Sequence, residues 1–252
     1  KTLATLSEMQ ATLRHSEKPP AELQAQIDEK VAELAPYVEK LAENPNALKV
    51  GSRLFLQNCA VCHGSNAKGA AGYPNLTDND WLYGGEAANI LTTLHNGRVG
   101  GMTAWRDQIG EDGVRAVSEY VLSISGNQPG YELDKAKVTQ GEAIFNEPTN
   151  CVLCHGPDAK GMTSTGAPNL TDKIWLYGGD RETIRETVRY GRAGVMPEWE
   201  TKLGNERIML LAAYVYSLSD RSAQPAKAKT VSAPAPQAAT TATATAETTA
   251  AN

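Results

Sequence analysis

Four cysteines in this sequence form two C-x-x-C pairs, and each pair is followed at once by a histidine. The six residues are Cys59, Cys62, His63, Cys151, Cys154 and His155. This spacing is the attachment signature of c-type haem, in which both thiols bond to one porphyrin and the histidine becomes the proximal iron ligand. The sequence therefore predicts two covalently bound haem c groups, with no thiol left for a disulfide.

Two C-x-x-C pairs could instead build one tetrahedral zinc site. That site requires both pairs to converge on a single ion. Here each pair has its own histidine and begins its own copy of an internal repeat. We therefore favour haem attachment over zinc.

A methionine is the expected sixth ligand of each iron. Met102 lies 39 residues after His63 (102 − 63), and Met196 lies 41 residues after His155 (196 − 155). Methionine ligation raises the reduction potential, and a filled sixth position denies oxygen and peroxide a binding site. We expect His63 to pair with Met102 and His155 with Met196. The alternative is that both methionines are ordinary core residues.

Further repeated residues are expected around the two haems. A proximal histidine needs its second ring nitrogen hydrogen-bonded, and backbone carbonyls of two prolines are the candidate acceptors. Leucines would pack on the haems, aromatic residues would wall them, and arginines could pair with propionates. The alternative for each residue is plain packing or solvent exposure. The candidates are Pro74, Pro168, Leu76, Leu170, Trp81, Tyr83, Trp175, Tyr177, Arg98 and Arg192.

An internal repeat organises all of these residues. The first copy reads CAVCHGSNAKGAAGYPNLTDNDWLYGG and then NGRVGGMTAW, and the second reads CVLCHGPDAKGMTSTGAPNLTDKIWLYGG and then YGRAGVMPEW. Cys151 follows Cys59 by 92 positions (151 − 59), whereas Trp175 follows Trp81 by 94 (175 − 81). A duplicated domain with two extra loop residues in the second copy explains the match. His95 has an arginine as its counterpart and is interpreted as a surface residue.

Helical patterns bracket both copies and predict an all-α fold of two tandem class I-like cytochrome c domains, at 45–127 and 135–221. In each domain the first and last helices are expected to pack together, with Gly51 and Gly141 permitting a close approach. Residues 1–44 are a charged helical arm, broken or kinked at its prolines, whose apolar stripe favours packing on the protein over a role as a spacer. Residues 222–252 are rich in Ala, Thr and Pro and are expected to form a disordered tail.

Composition restricts the classes of function that remain. The 252 residues carry a formal net charge of −5 and no basic stripe, which argues against nucleic-acid binding. No run approaches the roughly 18 apolar residues of a membrane helix. Since the sequence starts at Lys1 rather than Met, we expect an upstream segment, either a signal peptide or a membrane anchor.

The segments NCAVCHG, YPNLTDNDWLYGG and NGRVGGM, with GAPNLTDKIWLYGG and YGRAGVMPEW in the second copy, resemble the diheme subunit of cbb3-type cytochrome c oxidases over residues 45–220. The resemblance implies a periplasmic electron-transfer subunit that is not an enzyme on its own. It would take electrons from a donor cytochrome c and pass them to the oxidase's monohaem cytochrome c subunit, and thence to the catalytic haem–copper subunit. It also implies a membrane anchor in a segment outside this chain.

Thr103 departs from that family's pattern, because a proline usually follows the first methionine. We expect the change to loosen the loop of Met102 and to give a weaker methionine bond or a lower potential at that haem. Two other functions stay open. One is a free soluble periplasmic diheme shuttle between respiratory complexes. The other is a diheme peroxidase, which two filled methionine positions disfavour.

Overall fold

The computed structural model describes residues 21–126 and 132–219, together with residues 4, 8 and 9. The predicted tail at 222–252 lies outside the described residues, as does most of the first half of the arm. The helices are α1 (Ala21–Ala42), α2 (Pro45–Asn58), α3 (Ala60–His63), α4 (Ala87–Asn96), α5 (Arg106–Ile124), α6 (Lys135–Phe145), α7 (Val152–His155), α8 (Arg181–Tyr190) and α9 (Glu200–Tyr216). The strands are β1 (Arg98–Met102) and β2 (Arg192–Met196).

Capping residues fix where the main helices begin. The side chain of Asn44 accepts hydrogen bonds from the backbone N–H groups of Asn46 and Ala47, and Pro45 occupies the first turn of α2. Asp134 and Asp180 cap α6 and α8 in the same way. A side-chain acceptor satisfies N–H groups that have no partner inside the helix, so these short polar residues set the helix starts.

The chain is mostly helical, as predicted, but it also contains a two-stranded antiparallel ribbon that the prediction lacked. Strand β1 of the first repeat (residues 45–127) pairs with β2 of the second repeat (residues 135–221). In the register of the pair, Arg98 faces Met196 and Met102 faces Arg192. The two repeats are thus joined at the strands that end on the two methionines.

The last helix of each repeat crosses to the other repeat. Helix α9 packs on α2 and α4, and α5 packs on α6 and α8. The backbone N–H of Trp199 donates to the Leu94 carbonyl oxygen at 2.9 Å, and that of Trp105 donates to Val188 at 3.0 Å. The prediction that the first and last helices of the same repeat pack together is therefore wrong. Because the two copies offer equivalent surfaces, the sequence pattern could not distinguish the two pairings.

Gly51 and Gly141 do permit the close helix contacts that were predicted, but with the exchanged partners. A Cβ atom on Gly51 would lie 2.6 Å from the Tyr214 Cβ, and one on Gly141 would lie 2.9 Å from the Tyr120 Cβ. Real Cβ atoms essentially never approach so closely, so glycine is required at both positions. Each glycine therefore lets α9 or α5 lie directly on the first helix of the other repeat.

Two hydrophobic cores result, each built from both repeats. The first core combines Phe55, Cys59 and Leu91 with residues of α9 such as Ile208 and Leu211. The second core combines residues of α5 with the region of Cys151; its buried members include Val117, Leu122, Phe145, Cys151, Leu170 and Val188. The predicted boundaries at 127 and 135 separate the two sequence repeats. Each hydrophobic core nevertheless contains the last helix of the other repeat.

Helix α1 covers the first core. Ile27, Val31, Leu34 and Val38 are all buried, and the helix packs mainly on α4 and α9. This arrangement agrees with the favoured interpretation of the arm as a helix that packs on the protein. Pro36 lies inside α1, which continues to Ala42, so the expected break at this proline does not occur.

Candidate haem sites

Both motif histidines are buried and oriented by a proline carbonyl. His63 and His155 are each 7% exposed. The Nδ1 atom of His63 lies 3.1 Å from the Pro74 carbonyl oxygen, and that of His155 lies 3.1 Å from the Pro168 oxygen. A carbonyl can only accept, so Nδ1 carries the proton in both rings and Nε2 keeps its lone pair. The two hydrogen bonds expected from the sequence are present.

Burial also suits these histidines to metal binding. Desolvation lowers the pKa of both imidazoles, while the proline carbonyls act in the opposite direction with a smaller effect. The neutral ring is the form that coordinates iron, so burial favours the ligating state. Burial raises the pKa of the Cys59 and Cys151 thiols to about 11, which keeps them protonated before any bond to haem forms.

One continuous cavity of about 710 Å³ joins the two motif regions. Its walls include both histidines, both methionines and most of the residues predicted around the haems. Leu76 and Trp81 pack against the first core. Leu170 is buried in the second core, and Trp175 packs against it. A cavity with mainly apolar walls and a histidine held by its Nδ1 fits a haem at each motif.

The structure does not bring the four thiols together. Cys59 belongs to the first core and Cys151 to the second. Within the described residues no group of three or more His, Cys, Asp or Glu side chains is placed to hold a metal ion. The arrangement of the described cysteines therefore does not support a zinc site shared by both C-x-x-C pairs.

Each methionine lies with the core of the other repeat. Met196 packs against the first core, which contains Cys59, and Met102 packs against the second, which contains Cys151. A Cβ on Gly97, at the end of α4, would lie 2.8 Å from the Glu198 nitrogen, two residues after Met196. The equivalent Cβ on Gly191, at the end of α8, would lie 2.8 Å from the Ala104 nitrogen. The ribbon and the helix ends thus hold each methionine at the core that contains the first motif cysteine of the other repeat.

The repeated arginines and tyrosines form two matched stacks. The guanidinium of Arg98 lies 4.6 Å from the centre of the Tyr83 ring, and that of Arg192 lies 4.6 Å from the Tyr177 ring. Each arginine also donates from Nε to a threonine Oγ1 at 2.9 Å, at Thr93 or Thr187. All four stacked residues line the cavity.

The tyrosines also contact the other repeat. Tyr83 lies against Gly166, and a Cβ on Gly72 would lie 3.2 Å from the Tyr177 ring. The backbone N–H of Gly72 donates to the Leu176 carbonyl oxygen at 2.8 Å. The repeat predicted that these aromatic residues are important. The sequence pattern of one copy does not show that their contacts lie in the other copy.

Two features escaped the sequence analysis. His95 is fully buried on α4 and is not a surface residue, because α1 covers this region of the first repeat. Its counterpart Arg189 instead reaches Glu111 of α5, with Nη2 and Oε2 2.8 Å apart. In addition Glu119, 3% exposed, forms an ion pair with Arg181 across the α5–α8 contact and accepts a hydrogen bond from Arg181 Nη2 at 3.1 Å. A single acidic residue inside an apolar helical stripe was the only signal of that ion pair.

Comparison with known families agrees with this geometry. The family model described as "Cytochrome C oxidase, cbb3-type, subunit III" matches residues 46–121 and 136–215, which is most of both repeats. This chain belongs to the cbb3-type subunit III family. The two matched segments coincide with the parts of the repeats that supply the motifs and both methionines.

Curated relatives of the cbb3 family carry the same subunit name. The CcoP subunit of Rubrivivax gelatinosus is 42% identical over 210 residues, which cover 79% of this chain and 66% of the relative. The FixP subunit of Bradyrhizobium sp. (strain ORS 278) is 47% identical over 180 residues, 67% of this chain and 60% of the relative. CcoP of Rhodobacter capsulatus is 40% identical over 221 residues, 79% and 72% of the two chains.

The chain spans about two thirds of the length of the first of these cbb3 relatives. None of the helices formed by the described residues is both long enough and apolar enough to cross a bilayer.

Proposed function

We propose that this chain is a diheme electron-transfer part of a cbb3-type oxidase, which carries single electrons from a donor cytochrome c toward an oxygen-reducing centre in another subunit. One observation carries the proposal. Two buried histidines, each with Nδ1 held by a proline carbonyl, open onto one cavity that two methionines also line. Two redox centres in one cavity suit transfer between them better than binding of a separate substrate.

The ligand sets we propose are crossed between the repeats. Met196 would be the sixth ligand of the iron held by His63, and Met102 that of the iron held by His155. The packing of each methionine against the opposite core supports this pairing. It replaces the pairing within each repeat that the matching places of the two methionines had suggested.

A bound haem supplies reversible one-electron oxidation and reduction of its iron. The residues of the chain do the rest: the cysteine pairs tether each group, and the proline carbonyls fix the plane and tautomer of each histidine. The methionine sulfurs occupy the sixth position, which excludes oxygen and peroxide and raises the potential. These properties suit a carrier, which leaves oxygen chemistry to another chain.

Family membership supports a proposal for the partners and the location. The CcoP and FixP relatives are named as cbb3-type oxidase subunits, so the proposed partners are the other oxidase subunits, namely a monohaem cytochrome c subunit and the catalytic haem–copper subunit. A donor cytochrome c would deliver the electrons. The proposed location is the periplasmic side of the membrane, with an anchor in a segment outside this chain.

The test is to capture the native full-length protein from mildly solubilised membranes and to measure oxygen uptake with a reduced donor. Uptake that accompanies b-type haem and copper supports the proposal. A variant with Cys151→Ala and Cys154→Ala, captured in the same way, should lose donor-driven uptake while b-type haem and copper remain. Recovery of the protein free of the membrane, with c-type haem alone and no oxygen uptake, would instead support a free shuttle.

A further inference from the structure

Arg98 and Arg192 each face a methionine across the ribbon. Arg98 is opposite Met196, and Arg192 is opposite Met102. With the crossed ligands, each arginine therefore lies beside the distal ligand of the haem that its own repeat tethers. Both arginines line the cavity, and both are fixed by the same threonine hydrogen bond and tyrosine stack.

A half-buried guanidinium is costly unless an anion compensates it. Burial lowers the pKa of Arg98, in keeping with this cost. Among the described residues no carboxylate lies within ion-pair distance of Arg98. A haem propionate is a carboxylate of the right charge to complete this site, and planar guanidinium groups bind carboxylates well.

Arg192 differs from Arg98 in one respect. The Glu186 carboxylate lies 3.9 Å from its Nη2 atom. The counterpart of Glu186 in the first repeat, 94 positions earlier, is Thr92, whose hydroxyl donates to the Ala88 carbonyl oxygen. The second repeat thus places a negative charge where the first has a neutral residue.

We propose, on the basis of the proposed function, that Arg98 and Arg192 each bind a propionate and that Glu186 makes the two haems unequal. A positive charge near a haem favours the reduced state, which carries one electron more, and a nearby negative charge opposes it. The haem attached to Cys151 and Cys154 then has the lower potential. One electron would then pass downhill from the haem that Cys151 and Cys154 would hold to the haem that Cys59 and Cys62 would hold.

The decisive variant is Glu186→Thr, which gives the second repeat the residue of the first. In a spectroelectrochemical titration of the haem-loaded chain, the lower-potential component should rise. Because Glu186 is 61% exposed, we expect only a twofold to fivefold increase, roughly, in the equilibrium constant for reduction at low ionic strength. Added salt should shrink the increase. The reverse variant Thr92→Glu should lower the other component.

The matched control is Glu182→Thr. Glu182 lies on the same helix, is 72% exposed and pairs with Arg185 rather than Arg192. Glu182→Thr changes the net charge by the same amount as Glu186→Thr. Because Glu182 does not pair with Arg192, we expect it to shift the reduction potentials much less. Equal shifts from the two variants, or a shift of the higher component by Glu186→Thr, would overturn the inference.

The arginines provide a second test. Arg98→Gln should lower the reduction potential of the haem attached to Cys59 and Cys62, and Arg192→Gln that of the haem attached to Cys151 and Cys154. Each equilibrium constant for reduction should fall about tenfold, in line with the loss of a charged hydrogen bond. The charge-retaining Arg98→Lys should keep most of the potential even if it loses the stack on Tyr83. If both haems are present and neither arginine variant changes a reduction potential, this inference is wrong but the proposed function still stands. If the chain holds no covalent haem, the proposed function fails first.

Discussion

The residue after each methionine differs between the repeats. Met102 is followed by Thr103, and Met196 is followed by Pro197. The backbone at both positions lies against a glycine with positive φ at the end of a helix, Gly191 or Gly97. Because proline fixes φ, the segment after Met196 is stiffer than the segment after Met102. With crossed ligands, the looser segment belongs to the haem of the second repeat, the one that also has Glu186 nearby.

Replacement of Thr103 by proline should stiffen that segment. We expect Thr103→Pro to raise the reduction potential of the haem attached to Cys151 and Cys154, because a better-held methionine favours ferrous iron. Stability should rise by about 0.4–1 kcal/mol through the lower entropy of the unfolded chain. Redox titration and thermal unfolding measure both effects. Pro197→Thr is the matched variant and should lower the other potential; movement of the same component by both variants would contradict the prediction.

Residue types predicted the candidate ligands, but they did not predict the crossed pairing that we propose. The C-x-x-C-H motifs and the repeated prolines predicted the buried histidines and their hydrogen bonds, since that chemistry is local. Met102 and Met196 occupy equivalent positions in the two repeats, so spacing alone favours the nearer partner. The crossing is decided by long-range packing of α5 and α9, which no local pattern encodes.

At the scale of elements, the contact between α2 and α9 depends on Gly51. A side chain there would collide with the backbone of Leu210 and with Tyr214. We expect Gly51→Ala to cost about 1–3 kcal/mol of unfolding free energy, as overpacking usually does. It should also weaken methionine ligation at the haem of the first repeat, because α9 follows directly from Met196. Denaturant unfolding and redox titration would show both changes.

The control for that experiment is Leu56→Ala on the same helix, where the side chain is 51% exposed. It should change stability little. If Gly51→Ala lowered stability no more than Leu56→Ala, the close contact between α2 and α9 would not be needed for the fold and this prediction would be wrong.

An ion pair holds α5 against α8. Hydrogen bonds from Arg189 lower the pKa of the Glu111 carboxylate below its usual value of 4.5, with a further contribution from the charge of Arg106. The stabilisation is present above the pKa of the unfolded chain and is lost as pH falls through the lowered folded value. Glu111→Gln should therefore destabilise the protein more at pH 7 than at pH 3, which urea unfolding at the two pH values would measure.

Glu206→Gln is the control for this pH effect. Glu206 is exposed on α9, the counterpart of α5, and makes no ion pair among the described residues. Its replacement should leave the pH dependence unchanged. An equal response from both glutamine variants would mean that general surface charge, and not the α5–α8 pair, accounts for the acid sensitivity.

At the scale of the whole molecule, the structure is two hydrophobic cores that share one cavity and exchange their last helices. The sequence predicted the duplication, the helical class and the packing role of α1, since these follow from periodicity and spacing. It did not predict the ribbon, because five-residue strands rich in glycine give little signal. It also could not show that neither repeat contains a complete core by itself.

The most direct measurement is a crystal structure of the haem-loaded chain, with the irons located by anomalous scattering. We predict two irons. The one above His63 should be bonded to the Met196 sulfur, and the one above His155 to the Met102 sulfur. Bonds from His63 and Met102 to one iron, with α5 packed on α2, would contradict the crossed arrangement on which the proposed ligand sets and the unequal potentials depend.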